Sequence, residues 1–215
     1  MRWNRKPTKK LPPVERGRKS RKSEKTRAQI LSAALKCFTS MGYSATSIQD
    51  IVDAADFTKP TLYYYFNSKA DLFAALIDTA LKNSQEFLTK QTEKAGGTLK
   101  EVLTNILLAN SQRTHDKTSL ARLVHYSFFA AEKEIPYRQK CFDEASKLYG
   151  ILGNFFDSKK KDGTLKSNYA SIDLAKAFMG YSSSFTIGQI VNKDPVLTQK
   201  QAEMIVDMFL SGIAK

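Results

Sequence analysis

The stretch Ser47–Leu72 reads SIQDIVDAADFTKPTLYYYFNSKADL and has the pattern of two short helices separated by a tight break. Ile48, Ile51, Val52 and Ala55 recur at i, i+3, i+4 and i+7, which is one face of a helix. This helix is expected to begin at Thr46, with Gln49 three residues on as a capping-box partner. Thr58 then stands where it can cap a second helix, in which Pro60 falls in the first turn and its missing N–H costs little. Two short helices joined in this way are the outline of a helix-turn-helix. On the second helix Leu62 and Phe66 lie one turn apart and face Ile48, Ile51 and Val52. Pro60 and Tyr64 project from the other side, flanked by Thr61 and Tyr63. A solvated face would carry Lys or Glu; a proline, a threonine and hydroxyl-tipped rings make a contact surface instead. Such a face suits a major groove, where rings meet thymine methyls and hydroxyls reach phosphates or base edges. The alternative is that the tyrosines pack on neighbouring helices, which fits Tyr65 better than Tyr64. Lys59 and Lys69 each stand at or beside the N-terminus of an expected helix. Helix-end N–H groups and an ammonium together suit a phosphate there, with plain solvation as the alternative.

Upstream, Ile30, Ala34, Phe38 and Met41 follow at helical spacing, widened by Leu31 and Leu35, and Gly42 stops that helix. Cys37 falls among these apolar residues, which favours packing over nucleophilic chemistry. Downstream, a fourth helix starts near Ser68 and runs through Leu72, Phe73, Leu76, Ile77 and Leu81 to Phe87, ending at Gly96-Gly97. Thr98 and Glu101 form a capping box for a fifth. Further helices are expected over Leu120–Ala131, Pro136–Ser158, Ile172–Val191 and Thr198–Ile213, with breaks at Pro136, Gly163 and Asp194-Pro195. No alternating stretch argues for a strand. The fold class is all-α, with about nine helices.

The chain has 215 residues, 42% hydrophobic and 26% charged, in the range of globular proteins that bury a core. No apolar run approaches the roughly 20 residues of a membrane span. The basic first residues have no apolar segment behind them, so no secretory signal is expected and a cytoplasmic location is. Cys37 and Cys141 lack any metal-ligand or disulfide spacing; neither a metal nor a cofactor is expected. The net charge of +13 is concentrated at the front. Residues 1–22 hold ten Lys or Arg against Glu15 alone, whereas the rest of the chain is nearly balanced. These residues, with Pro7, Pro12, Pro13 and Gly17 and no hydrophobic period, are expected to form a flexible arm. A polyanion such as nucleic acid is the natural partner of such an arm, and a solubilising tail is the alternative.

The segment TLYYYFNSK, Thr61–Lys69, with Gly42-Tyr43 and Thr46 ahead of it, resembles the helix-turn-helix signature of the tetracycline-repressor-like (TetR/AcrR) regulators. The likeness covers about sixty residues; beyond them the helices agree with that family in number and character. The resemblance implies a head over 23–83, with the motif at 47–66, and a ligand-sensing and dimerisation body over 84–215. It implies that Thr58, Lys59, Pro60, Thr61, Tyr63 and Tyr64 face bases or adjacent backbone of double-stranded DNA. Thr46, Ser47, Tyr65 and Lys69 would meet phosphates, and Leu62 and Phe66 would be structural. Asp56 stands where the family usually has glycine, so a left-handed backbone held at modest cost is expected there. The arm could enter a minor groove, by analogy with other DNA-binding arms.

In the body, Ala202, Ile205, Val206, Phe209 and Ile213 form one apolar stripe of the last helix, and Met204 and Met208 a second. The helix before it mixes Phe178, Met179 and Phe185 with small residues that permit close approach. The resemblance implies a homodimer through 172–191 and 198–213, reading a palindromic site; a wholly intramolecular core is the alternative. Phe128, Phe129, Phe142, Tyr149, Phe155, Phe156 and Tyr169 are aromatics that serve either core or cavity. The resemblance implies a cavity for an unknown small apolar effector, with His125, Phe128, Phe129, Tyr149 and Phe155 as candidate lining and His115 as a second polar candidate. No GxSxG, HExxH, phosphate loop or dinucleotide fingerprint supports an enzyme. The expected function is a ligand-released transcriptional repressor; an activator or an architectural DNA binder is the alternative.

Overall fold

The computed structural model describes residues 13–93, 96–129 and 138–213, and every regular element among them is an α-helix. In chain order these are α1 (Pro13–Met41), α2 (Ile48–Ala55), α3 (Lys59–Tyr65), α4 (Lys69–Glu93) and α5 (Leu99–Asp116). α6 (Thr118–Phe129), α7 (Arg138–Lys161), α8 (Ser171–Val191) and α9 (Gln199–Ile213) complete the set.

The helix ends follow local chemistry. Gly42 leaves α1 at φ +83°, donating its N–H to the Phe38 carbonyl at 3.1 Å. Ser47 caps α2, and the capping-box partner is Asp50, not Gln49. The Ser47 N–H donates to Asp50 Oδ2 at 2.7 Å, and the Asp50 N–H donates to Ser47 Oγ at 3.1 Å. The helix therefore begins one residue later than a Thr46 cap would set it, because the box closes best on a carboxylate. Asp56 ends α2 at φ 55°, ψ 47°, the left-handed conformation expected of it. Thr58 caps α3 as expected, accepting from the Thr61 N–H. Thr98 and Glu101 close the box before α5.

One expectation about the arm is corrected. Residues 13–22 continue α1 as helix, while residues 1–12 lie outside the described residues. Pro13 is tolerated at the first helical position, and Arg and Lys are good helix formers. Helix propagation from the packed part of α1 needs no apolar face of its own.

Two apolar cores hold the molecule. The head core gathers Ile30, Phe38, Ile51, Val52, Leu62 and Phe66 with Leu72, Phe73, Leu76, Ile77 and Leu81 of α4. Leu123 from α6 and Cys141 from α7 complete it. The body core joins α5, α7, α8 and α9 through Leu103, Leu107, Phe156, Phe178 and Phe209. α4 runs through both, carrying Leu72 at one end and Leu88 at the other. The head core thus shares α4 and α7 with the body core.

Candidate nucleic-acid interface

α3 is anchored from behind and open in front. Leu62 is fully buried and Phe66 is nearly so, clamped beneath the Arg27 guanidinium 5.0 Å from its ring centre. On the opposite side Tyr64 keeps 79% of its surface exposed and Tyr63 keeps 50%. Thr58, Lys59 and Pro60 are also exposed. Tyr65 is half-buried and meets the Tyr64 ring edge-on at 5.0 Å, which restrains the rotamers of both. The Thr61 and Thr58 hydroxyls lie 3.0 Å apart, so Thr61 is tied to the helix cap as well as facing outward.

Two of the expected phosphate contacts are placed differently. Thr46 is 1% exposed, with its hydroxyl donating to the Gly42 carbonyl at 2.7 Å, so its side chain braces the loop after α1. The Lys69 ammonium donates to the Tyr43 and Thr46 carbonyls, each at 2.8 Å, and lies 4.5 Å from the Tyr43 ring centre. Its charge satisfies the end of the α1–α2 loop, and partial burial pushes its pKa down from the ordinary value. Lys69 therefore fastens the loop to the start of α4. Ser47 stays exposed, but its hydroxyl already accepts from Asp50. The hydrogen bonds from the Ser47 N–H and hydroxyl hold the Asp50 carboxyl below its usual range, placing negative charge at this helix start. Lys59 is the exposed cation at the first position of α3. Sequence reasoning missed the local acceptors of Lys69 because they are backbone carbonyls, which no side-chain pattern reveals.

Behind this head, α4 to α8 line a half-open cavity of about 470 Å³. Of the expected lining residues, His125, Phe128 and Tyr149 are present, together with Phe142. Phe155 is not: it is 5% exposed and packs within the body core beside Phe156. Phe129 belongs to α6, but its side chain lies outside the described residues. Phe156 is fully buried core, and Tyr169 and His115 sit at the surface. Burial pushes the His125 imidazole pKa down, a contact with the Ala121 carbonyl partly opposing it. The cavity also takes Phe87 from α4 and Arg113 from α5, neither of which the sequence marked as lining. The signal was available for Arg113, since Ile106, Asn110 and Arg113 share one inward stripe of α5.

The family model described as bacterial regulatory proteins, tetR family, matches residues 30–76, from the middle of α1 into α4. That span contains the whole two-helix motif and its buried support. Over residues 30–76 the chain is similar to the tetR family of bacterial regulatory proteins. The chain is 25% identical over 157 residues to the HTH-type transcriptional regulator AcrR of Shigella flexneri, covering 70% of this chain and 73% of that one. It is 36% identical over 76 residues to the regulator TtgR of Pseudomonas putida, covering 35% and 36% of the two chains. The fold matches that of the transcriptional regulator FadR from Bacillus subtilis, solved in complex with stearoyl-CoA. The TM-score is 0.74 at 19% identity, over 86% of this chain and 98% of that one. Among the described residues no helix is long and apolar enough to cross a membrane, and no cluster of metal-ligating side chains occurs.

Proposed function

We propose that this chain is a tetR-family, sequence-specific DNA-binding transcriptional regulator, a repressor that acts as a homodimer and is released by a small molecule. The observation that carries the reading is α3, whose exposed Lys59, Pro60, Tyr63 and Tyr64 stand on the fully buried Leu62. Rigid support and an outward face of rings and hydroxyls are what base-edge readout requires. In this reading Lys59, Tyr65 and Ser47 fix the backbone register, and the basic segment before residue 23 adds affinity independent of sequence.

The dimer rests on α8 and α9. Tyr181, Ile187, Val191, Met204 and Met208 all keep large apolar side chains in solvent on these two helices. A second copy burying them would form a two-fold four-helix contact and set two α3 helices on one duplex, which calls for a palindromic operator. The cavity supplies the release. α4, α6 and α7 carry side chains of both the head core and the cavity wall, with Leu81 belonging to both. A ligand that prefers one arrangement of these helices changes the spacing of the heads; an indifferent ligand changes nothing. The FadR structure with stearoyl-CoA supports a ligand-holding body in this fold.

The test is selection from random duplex DNA by the purified protein at about physiological salt, with Tyr64→Ala in parallel. An enriched palindrome that the variant fails to enrich is the expected result. Binding that enriches no sequence would leave only electrostatic attraction and overturn the reading.

A further inference from the structure

The cavity wall has an uneven chemistry. Phe87, Phe128, Phe142 and Tyr149 present aromatic rings, and aliphatic side chains such as Leu81 and Met179 fill between them. No described lining residue is an Asp or Glu, whereas Arg113 and Lys117 both reach the wall. Arg113 is the inner of the two, half-buried, with Lys117 at the exposed rim. Its guanidinium lies 4.5 Å from the Phe87 ring centre, which fixes the fork in place. Among the described residues that guanidinium makes no ion pair and no hydrogen bond, so its planar donor set is held but unspent. One turn before it, Asn110 donates to Ser182 Oγ at 2.9 Å and to Thr186 Oγ1 at 3.4 Å, a polar strip that continues along the same wall.

We propose that this cavity takes an anionic, largely apolar small molecule, an aromatic or aliphatic acid whose acidic group is gripped by Arg113. The apolar body lies against the rings and the acid meets the guanidinium fork, the geometry in which Arg binds carboxylate and sulfonate groups two-handed. Desolvation already disfavours the Arg113 charge, and an anion inside the cavity offsets that cost. A cationic ligand is disfavoured beside Arg113 and Lys117, since no described lining residue is a carboxylate. A position in the last turn of α5 also suits Arg113 to the helix dipole. That role needs no ligand, and it is what the experiment separates from anion binding. The inference rests on the cavity being the effector site of the regulator.

The test uses two fluorescent probes with one aryl body: anilinonaphthalene sulfonate, which is anionic, and phenyl-naphthylamine, which is neutral. Full-length protein is titrated with each, in wild type, Arg113→Gln, Arg113→Lys and the surface control Lys176→Gln. The expected result is one sulfonate site per chain that Arg113→Gln weakens about tenfold or more. Arg113→Lys should retain part of that affinity, Lys176→Gln all of it, and the neutral probe should be unaffected throughout. Equal loss of both probes in Arg113→Gln would assign Arg113 a structural role and overturn the proposal. So would an unchanged sulfonate affinity, or wild-type protein that binds no sulfonate. No DNA enters this experiment, so its failure is distinct from failure of the duplex selection, and either reading can fall alone.

Discussion

The α3 face and the body cavity both display aromatic rings, yet they do so in opposite geometries. On α3 the rings stand out from a convex surface, with Tyr64 mostly exposed and a buried Leu62 behind it. In the cavity Phe87, Phe128, Phe142 and Tyr149 converge on about 470 Å³ of space. The charged groups differ in the same sense. Lys69, beside α3, spends its ammonium on backbone carbonyls that brace the head, whereas Arg113 is held beside its space with its donors unspent. A convex polar-tipped surface needs a partner larger than itself, while a concave apolar one can enclose a small molecule. α4 carries side chains of both the head core and the cavity wall.

The sharpest way to break the comparison is at the support behind α3. Leu62→Ala should cost about 2–5 kcal/mol in urea unfolding, since it empties a fully buried site. Tyr64→Ala should leave that unfolding curve in place and instead cost roughly 1–3 kcal/mol in binding to the selected operator. If Tyr64→Ala unfolds the head as Leu62→Ala does, the ring is core and not contact surface.

Next comes the brace. Lys69→Met should lose about 1–2 kcal/mol of stability by leaving the Tyr43 and Thr46 carbonyls without their charged donor, a figure reduced from a buried ion's because the site is partly wet. Hydrogen exchange should quicken at residues 42–47 first. An unchanged exchange pattern there would show that the ammonium braces nothing.

Smaller and of opposite sign is Asp56→Gly. Asp56 holds φ 55° at a cost that glycine avoids, so the variant should gain about 0.5–1 kcal/mol after its own greater unfolded-state entropy is counted. A loss of stability would mean that the Asp56 side chain contributes more than its backbone costs.

The smallest effect belongs to His125. Its folded pKa lies below the ordinary 6.5, so the unfolded chain binds more protons as pH falls. Its contribution is complete above about pH 6.5 and is lost as pH drops through the region below that value. The urea midpoint of His125→Phe should therefore fall less than that of wild type between pH 7.5 and 5.5 (about two units spanning the imidazole range). Parallel falls would remove His125 from the acid response.

The head was legible in sequence because its information is local. The spacing of Ile48, Ile51 and Val52, the Thr58 cap and the Leu62/Phe66 pair each act within a few residues, and the structure places them accordingly. The misplaced details are also local but finely balanced. Ser47 competes with Thr46 for the cap, and the carboxylate of Asp50 settles the competition. Phe155 and Phe128 could not be told apart in sequence, since both are aromatics on helical faces. Phe155 joins the core through the packing of α7, and Phe128 lines the cavity through the packing of α6.

By itself, the sequence determined the all-helical architecture and the two-helix motif with its outward and inward faces, while the left-handed turn at Asp56 was what the family resemblance implied. Those follow from periodicity, capping and backbone sterics, which are written in neighbouring residues. Only the tertiary structure decided that Lys69 and Thr46 brace the head, that Arg113 stands unspent beside a ring-lined space, and that α4 joins the two cores. Such properties depend on distances between residues tens of positions apart in the chain. A side chain's partner across that gap is set by how helices pack, not by its neighbours in sequence.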